Sequence, residues 1–198
     1  MLMHKGTVPL ETPRLALRRF RPEDTPSVYR NWASDPQVTR YMRWSPHQSV
    51  QETGQVVESW VKHYSQPSFY LWLIELRETG TPIGALEATI TSENDACAEL
   101  GYCLGRYWWG GGLMSEAVAV AIRFLFQEVG LNRIEACHSV RNPASGRVME
   151  KCGMTFEGMA RQKYYSPTEG FQDCRTYAIL RGDWTEYLQI SQQFHTQN

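Results

Sequence analysis

Three consecutive glycines, Gly110, Gly111 and Gly112, stand between a strand-like run (Glu99 to Leu104) and a long apolar helical pattern beginning at Leu113. A strand, a glycine turn and a helix start are the parts of a cradle for a phosphorylated ligand. The first amides of a helix have no intrahelical acceptor, and the helix dipole favours an anion there. Glycines let the backbone approach a bulky pyrophosphate without Cβ atoms in the way. The loop lacks the Gly-Lys-Ser/Thr of a nucleotide-hydrolase P-loop, which weakens that reading. A second chemical signature follows at Asn142-Pro143, with Ser145 in the first turn of the helix that this pair starts. Asparagine suits the cap and proline the first helical position.

The elements that must hold these residues can be read in order. Leu15 and Leu17 alternate with Arg14, Ala16 and Arg18 as a first strand. Pro22, Glu23 and Asp24 open a helix expected to run to about Ser34, and Asp35-Pro36 a short one through Val38 to Tyr41. A third helix is expected over Gln51 to Tyr64. Three strands follow, Phe69 to Leu76, Ile83 to Thr91 and Cys97 to Leu104, with short turns that imply an antiparallel meander. The first of these is a continuous apolar run, as for a strand buried on both faces. The wide apolar arc of the helix after the glycines (Leu113, Ala117, Val120, Ala121, Phe124) demands a sheet beneath it. Arg133 to Val140 reaches the sheet after that helix, so it is expected parallel to the strand before it. A short helix ends near Cys152-Gly153. Two last strands, Met154 to Tyr165 and Asp173 to Leu180, are joined by the turn 166–170. Asp183 is expected to cap a C-terminal helix.

Composition bounds the function. The chain has 198 residues, 42% hydrophobic and 12% aromatic, enough for a sizeable core in one domain. The reading is a single domain over 1–198, with a core at about 11–182 and a C-terminal helix and tail over 183–198. A formal net charge of −1 gives no support to nucleic-acid or membrane-surface binding. No apolar run approaches a membrane span, and the opening stretch lacks the apolar core of a signal peptide. Five scattered cysteines show no metal spacing and read as free thiols of a cytoplasmic protein.

The order of elements, together with Gly101-Tyr102-Cys103-Leu104, Trp109-Gly110-Gly111-Gly112-Leu113-Met114-Ser115-Glu116-Ala117, Arg141-Asn142-Pro143-Ala144-Ser145 and Lys151-Cys152-Gly153-Met154, resembles the GNAT N-acetyltransferases. The opening Thr12-Pro13-Arg14-Leu15-Ala16-Leu17-Arg18 is similar to the ribosomal-protein alanine/serine N-acetyltransferase branch. The family's coenzyme motif, Gln/Arg-x-x-Gly-x-Gly/Ala, falls on Tyr107-Trp108-Trp109-Gly110-Gly111-Gly112. The resemblance implies an α/β (α+β) fold: a mixed central sheet of about seven strands flanked by helices, splayed between the fourth (Cys97 to Leu104) and the fifth (Arg133 to Val140). It implies acetyl-CoA as co-substrate, with no metal.

By the same resemblance the pyrophosphate rests on backbone amides of Trp108 to Leu113, with Tyr107 and Met114 at the two ends of that loop. The pantetheine runs beside Leu100, Tyr102, Cys103 and Leu104, and Asn142 and Ser145 lie near the thioester. One departure matters: the family's Gln or Arg is Tyr107 and the often basic middle position is Gly111, so the phosphates must be held by backbone. The tyrosine that many relatives carry as the acid is Met149 here. Ser145 is the substitute that the ribosomal branch suggests, against a plain place in the first helical turn with its hydroxyl bonded to backbone. The base is open among Glu99, Glu87 on the neighbouring strand, His138, Tyr164 and water, with an ordinary structural reading beside Glu99, His138 and Tyr164. Trp32, Tyr41, Met42 and Trp44 fall in the region that shapes the family's acceptor site, with helix packing favoured for Trp32. Trp108 and Trp109 are expected as core wedges beneath the glycine loop.

These residues lead to an acetyl-CoA-dependent N-acetyltransferase acting by direct attack of a primary amine: a protein N-terminus, an amino acid or a polyamine. No acyl-enzyme is needed, so the cysteines need no catalytic role. The rival reading is an acyl-CoA-binding regulatory module without turnover. Either a monomer or a homodimer is compatible with the sequence.

Overall fold

The computed structural model describes residues 1–184. The sheet has eight strands: β1 (Leu10–Glu11), β2 (Leu15–Arg18), β3 (Tyr70–Leu76), β4 (Thr81–Ser92), β5 (Cys97–Leu104), β6 (Arg133–Ser139), β7 (Thr155–Ser166) and β8 (Gly170–Leu180). They lie in the order β1-β2-β3-β4-β5-β6-β8-β7. The added strand is β1, which pairs Leu10 with Leu17 and Glu11 with Ala16. Two residues before a proline are too short a run to show periodicity. β3 to β5 form the expected meander, and β5 and β6 run parallel. Their pairing lasts only from Cys97↔Arg133 to Leu100↔Ala136. Beyond Leu100 the two strands part, leaving the β6 side of Gly101 to Leu104 without a strand partner. The last two strands form a hairpin whose second strand, β8, pairs with β6, so β7 is the sheet edge.

The helices are α1 (Thr25–Val28), α2 (Pro36–Thr39), α3 (Val50–His63), α4 (Leu113–Phe124) and α5 (Pro143–Lys151). The single helix expected from Pro22 to about Ser34 is instead a 3-10 turn (Pro22–Asp24), the one-turn α1 and a π-helical turn (Tyr29–Ala33). α2 stops at Thr39, short of Tyr41. α4 also ends in a π turn (Leu125–Val129), closed by Gly130 at φ +91°. Asp183 lies inside a helical turn over 181–184 rather than at its N-cap position, and its carboxylate accepts the Leu180 amide at the start of that turn at 3.3 Å. The tail expected beyond it lies outside the described residues.

Apolar packing on the two sheet faces explains the layers. On one face α4 and α5 cover Leu15, Leu17, Trp72, Leu86, Ala98, Leu100 and Ile134. On the other, Phe20, Val28, Trp32, Val57, Leu71 and Leu73 form a second core, so Trp32 is a packing residue. Alternate side chains of a strand point to opposite faces. Tyr102 therefore shares with Leu100 the face on which α5 lies, and Cys103 points to the second core. No described helix is long and apolar enough to cross a membrane.

Candidate active-site cleft

A cleft of about 600 Å³ opens where β5 and β6 part. Four pieces of chain line it: the end of β5 (Tyr102, Cys103, Leu104), the loop into α4 (Trp108 to Ser115, without Gly111), one side of α5 with its cap (Asn142, Ala144, Ser145, Arg147, Val148, Lys151) and the segment Gln37 to Met42, without Thr39. Of the residues singled out in the sequence, Tyr102, Cys103, Leu104, Trp108, Trp109, Gly110, Gly112, Leu113, Met114, Asn142 and Ser145 come together here. Leu100 points into the core, and Tyr107 is 82% exposed outside the lining.

The glycine loop is built by its dihedral angles. Gly110 has φ +81° and Gly112, at the N-cap of α4, φ +74°, values that an L side chain adopts only at a cost. The first bond into the helix runs from the Glu116 amide to the Gly112 carbonyl at 3.1 Å. The amides of Leu113, Met114 and Ser115 therefore precede the helical ladder. Nothing lies within 4 Å of where a Cβ on Gly110 would sit, so the space above the loop is open. The loop is tied from behind. Arg14 donates to the Gly111 carbonyl at 3.0 Å and to Glu116 at 2.6 Å, and the Thr12 hydroxyl and Arg14 amide also reach that carboxylate. Trp109 is not a core wedge: it is 51% exposed and its indole N–H donates to the Leu104 carbonyl at 2.7 Å. That bond fixes the loop to the end of β5 and leaves the ring face in the cleft wall. Trp108 packs against the core, as expected.

Across the gap, Asn142 occupies the N-cap of α5 but its side chain makes no cap bond, which leaves its amide to the cleft. Ser145 is joined to the sheet. Its hydroxyl donates to the Tyr102 phenol oxygen at 3.1 Å, and the Tyr102 hydroxyl donates to the Ser145 carbonyl at 3.0 Å. Burial pushes the Tyr102 phenol well above its usual range, so it stays protonated. α5 approaches the sheet closely at Gly146, where a Cβ would meet His138 Nε2 at 2.5 Å.

The base candidates lie elsewhere. The Glu99 carboxylate accepts the Cys137 thiol at 3.4 Å, and Glu99 stands where β5 is still paired to β6. Glu87 lies in a separate recess of about 360 Å³ beside Thr89 and Glu93. His138 is buried under α5; its Nδ1 faces the Ser139 carbonyl at 2.8 Å, Nε2 has no partner, and burial lowers its pKa. Tyr164 donates to the Tyr41 carbonyl at 2.8 Å, lies 4.7 Å beneath the Arg43 guanidinium, and is pushed up to about 12 by burial. None of these four lines the cleft. Its lining has no Asp, Glu or His at all, and three cations: Arg40, Arg147 and Lys151. Arg147 was not singled out in the sequence and Lys151 was quoted there only within a family motif, although they stand one turn apart on α5 after Ser145. Cys103 is in the wall, but burial pushes its thiol up to about 12. It is not a ready nucleophile. No described group of His, Cys, Asp or Glu could hold a metal ion.

Comparison with known proteins agrees with this architecture. The family model for the acetyltransferase (GNAT) domain matches residues 14–155. An uncharacterized N-acetyltransferase of Bacillus licheniformis, p20, is 31% identical over 176 residues, covering 88% of this chain and 97% of its own. The ribosomal protein uS5-alanine N-acetyltransferase of Escherichia coli is 36% identical over 87 residues, 43% of this chain and 44% of that one. Among solved structures, a GNAT-family acetyltransferase from Bacillus anthracis superposes with a TM-score of 0.78 at 25% identity, covering 88% of this chain and 99% of the other.

Proposed function

The chain belongs to the GNAT acetyltransferase family and is an N-acetyltransferase, and from that premise we propose that its cleft takes acetyl-CoA and delivers the acetyl group to an α-amine. The carrying observation is that one cleft joins the open amides at the start of α4 to the Ser145–Tyr102 hydroxyl pair across the parted strands. The cleft fits the coenzyme. Gly110 leaves room for a pyrophosphate, the amides ahead of the α4 ladder supply donors, and Arg147 and Lys151 supply the charge that Tyr107 and Gly111 do not. The unpaired edge of Gly101 to Leu104 offers backbone groups to the pantetheine amides. Acetyl-CoA, when bound, supplies an activated thioester.

The residues of the chain then do three things. Backbone N–H groups at the end of β5 face the gap and can stabilise a developing oxyanion. Ser145 can turn its one hydroxyl hydrogen from the Tyr102 oxygen to the leaving sulfur as a hydrogen bond, the role left vacant at Met149, which is buried in the core, and the departing thiolate takes its proton from water in the open cleft. The proton of the attacking amine leaves through water in the open cleft, since no carboxylate or imidazole lines it. That favours an α-amine, with pKa near ~8, over a lysine or polyamine near ~10.4. Similarity to a ribosomal-protein alanine N-acetyltransferase supports a protein N-terminus as acceptor.

The test is a thiol-release screen with acetyl-CoA against N-terminal peptides, free amino acids and polyamines. Release with peptides bearing a free α-amine, and not with polyamines, is expected. Tight acetyl-CoA binding with a fully protected thioester against every amine would replace this reading with that of a binding module.

A further inference from the structure

The wall of the cleft facing α5 includes Arg40, Tyr41 and Met42, which follow α2 and have no regular secondary structure of their own. Something else must hold them, and it is the tip of the β7–β8 hairpin, more than a hundred residues on. The Ser166 hydroxyl donates to the Arg40 carbonyl at 2.8 Å, and the Tyr164 hydroxyl to the Tyr41 carbonyl at 2.8 Å. One Glu169 oxygen accepts from Arg40 Nε at 2.7 Å, and the other from Arg141 Nη1 at 2.8 Å. Ser166 and Gln172 are buried. Gln172 donates to the Glu169 and Gly170 carbonyls and accepts from the Ser139 hydroxyl at 2.7 Å. The turn is thus braced on the end of β6, just before Asn142.

Glu169 therefore sits between two guanidiniums, one from the 40–42 wall and one from the residue just before Asn142. Its side chain is 16% exposed, and its hydrogen bonds to Arg40 and then Arg141 hold its carboxyl below the usual range. With its charge removed, Arg40 and Arg141 face one another as like charges, and the segment 40–43 keeps its two hydroxyl tethers, the Met42 amide bond to the Thr39 carbonyl and the Arg43 contact with the Tyr164 ring.

We infer that the hairpin tip is a clamp on the 40–43 wall and that Glu169 is a positioning residue for the amine acceptor. Naming this wall the acceptor wall rests on the acetyl-transfer reading above; the clamp itself does not. The coenzyme contacts proposed on the α4 loop and α5 are on the other sides of the cleft, so the two substrates should respond differently.

Two variants test it, Glu169→Gln and Tyr164→Phe, the second deleting one hydroxyl while keeping the ring under Arg43. In Glu169→Gln the KM for a peptide amine should rise about fivefold, with kcat, the acetyl-CoA KM and the melting temperature little changed. Tyr164→Phe should shift the same parameter by less. Hydrogen exchange of residues 40–44 should accelerate in both, while that of 102–104 does not. An unchanged exchange rate at 40–44 overturns the clamp. So does a loss shared by both KM values and the melting temperature, which marks a merely structural role. If the wild-type protein acetylates no amine, the acetyl-transfer reading fails on its own, and the exchange measurement still decides the clamp.

Discussion

Replacing Gly146 by alanine should change sign with its neighbour. The new Cβ would stand 2.5 Å from His138 Nε2 and 3.1 and 3.2 Å from Cε1 and Cδ2. The ring cannot swing freely: it is 4% exposed, bonded through Nδ1 to the Ser139 carbonyl at 2.8 Å, and 5.7 Å from the Tyr177 ring centre. Overpacking of this kind costs about 1–3 kcal/mol. Alanine in a helix interior recovers ~1 kcal/mol relative to glycine. The net effect is a loss of roughly 0–2 kcal/mol, a fall in melting temperature of up to about 8 °C for a chain this long. In a His138→Ala background the clash is gone and only the helical gain remains, so the same substitution should stabilise by ~1 kcal/mol. The cost of deleting the imidazole is common to both arms of this double-mutant cycle and cancels. Urea denaturation of the four proteins measures the coupling, expected at about 1–3 kcal/mol. An effect of equal sign and size in both backgrounds would refute the claim that Gly146 is required by the ring beneath it. Because Ser145 adjoins Gly146, kcat should fall in Gly146→Ala and recover in the double variant.

Other consequences are independent of that contact. Ser145→Ala should lower kcat roughly 10²-fold with little change in the acetyl-CoA KM, and Tyr102→Phe should lower it less; an unchanged kcat in Ser145→Ala would reduce the hydroxyl pair to packing. Arg147→Ala should raise the acetyl-CoA KM about fivefold at low salt, a difference that shrinks as ionic strength rises. For Glu116, burial pushes the carboxyl up, but the Thr12 hydroxyl, the Arg14 amide and the Arg14 guanidinium outweigh it and hold the pKa low. The stability it contributes is complete above the unfolded value of about 4.3 and is lost as pH falls through the lower native value. Melting scans toward acid should show that loss, and Glu116→Gln should flatten it.

How far these features could be read before the structure depends on whether they are local. The arc from Leu113 to Val129 and the arrival of Arg133 after a helix were sufficient for the parallel β5–β6 pair, because both are properties of one continuous stretch. The gap beside Gly101 to Leu104 came from the resemblance, and the end of pairing at Leu100↔Ala136 bears it out. The π turns at Tyr29–Ala33 and Leu125–Val129 carry the apolar spacing of an ordinary helix, and nothing in residue type separates them. Trp109 shows the same limit: an indole suggests burial, yet one N–H bond to Leu104 decides its place at the surface. Contacts across the sheet were out of reach. Tyr102 meets Ser145 from 43 residues away, and Arg40 meets Glu169 from 129. Periodicity tells which face a residue is on, and only the register of β5 against the helix that follows β6 brings the two hydroxyls together.

The central claim is direct transfer from a coenzyme held by the α4 amides and the cations of α5 to an α-amine, with no acyl group passing through the protein. The measurement that tests it is a single turnover with acetyl-labelled acetyl-CoA, with and without a peptide bearing a free N-terminus. The account predicts label on the peptide α-amine and none on the protein, since Cys103 lines the cleft but turns its thiol to the second core, where burial pushes it up to about 12 and keeps it protonated. Label trapped on Cys103, or a thioester that survives with the peptide present, would contradict it.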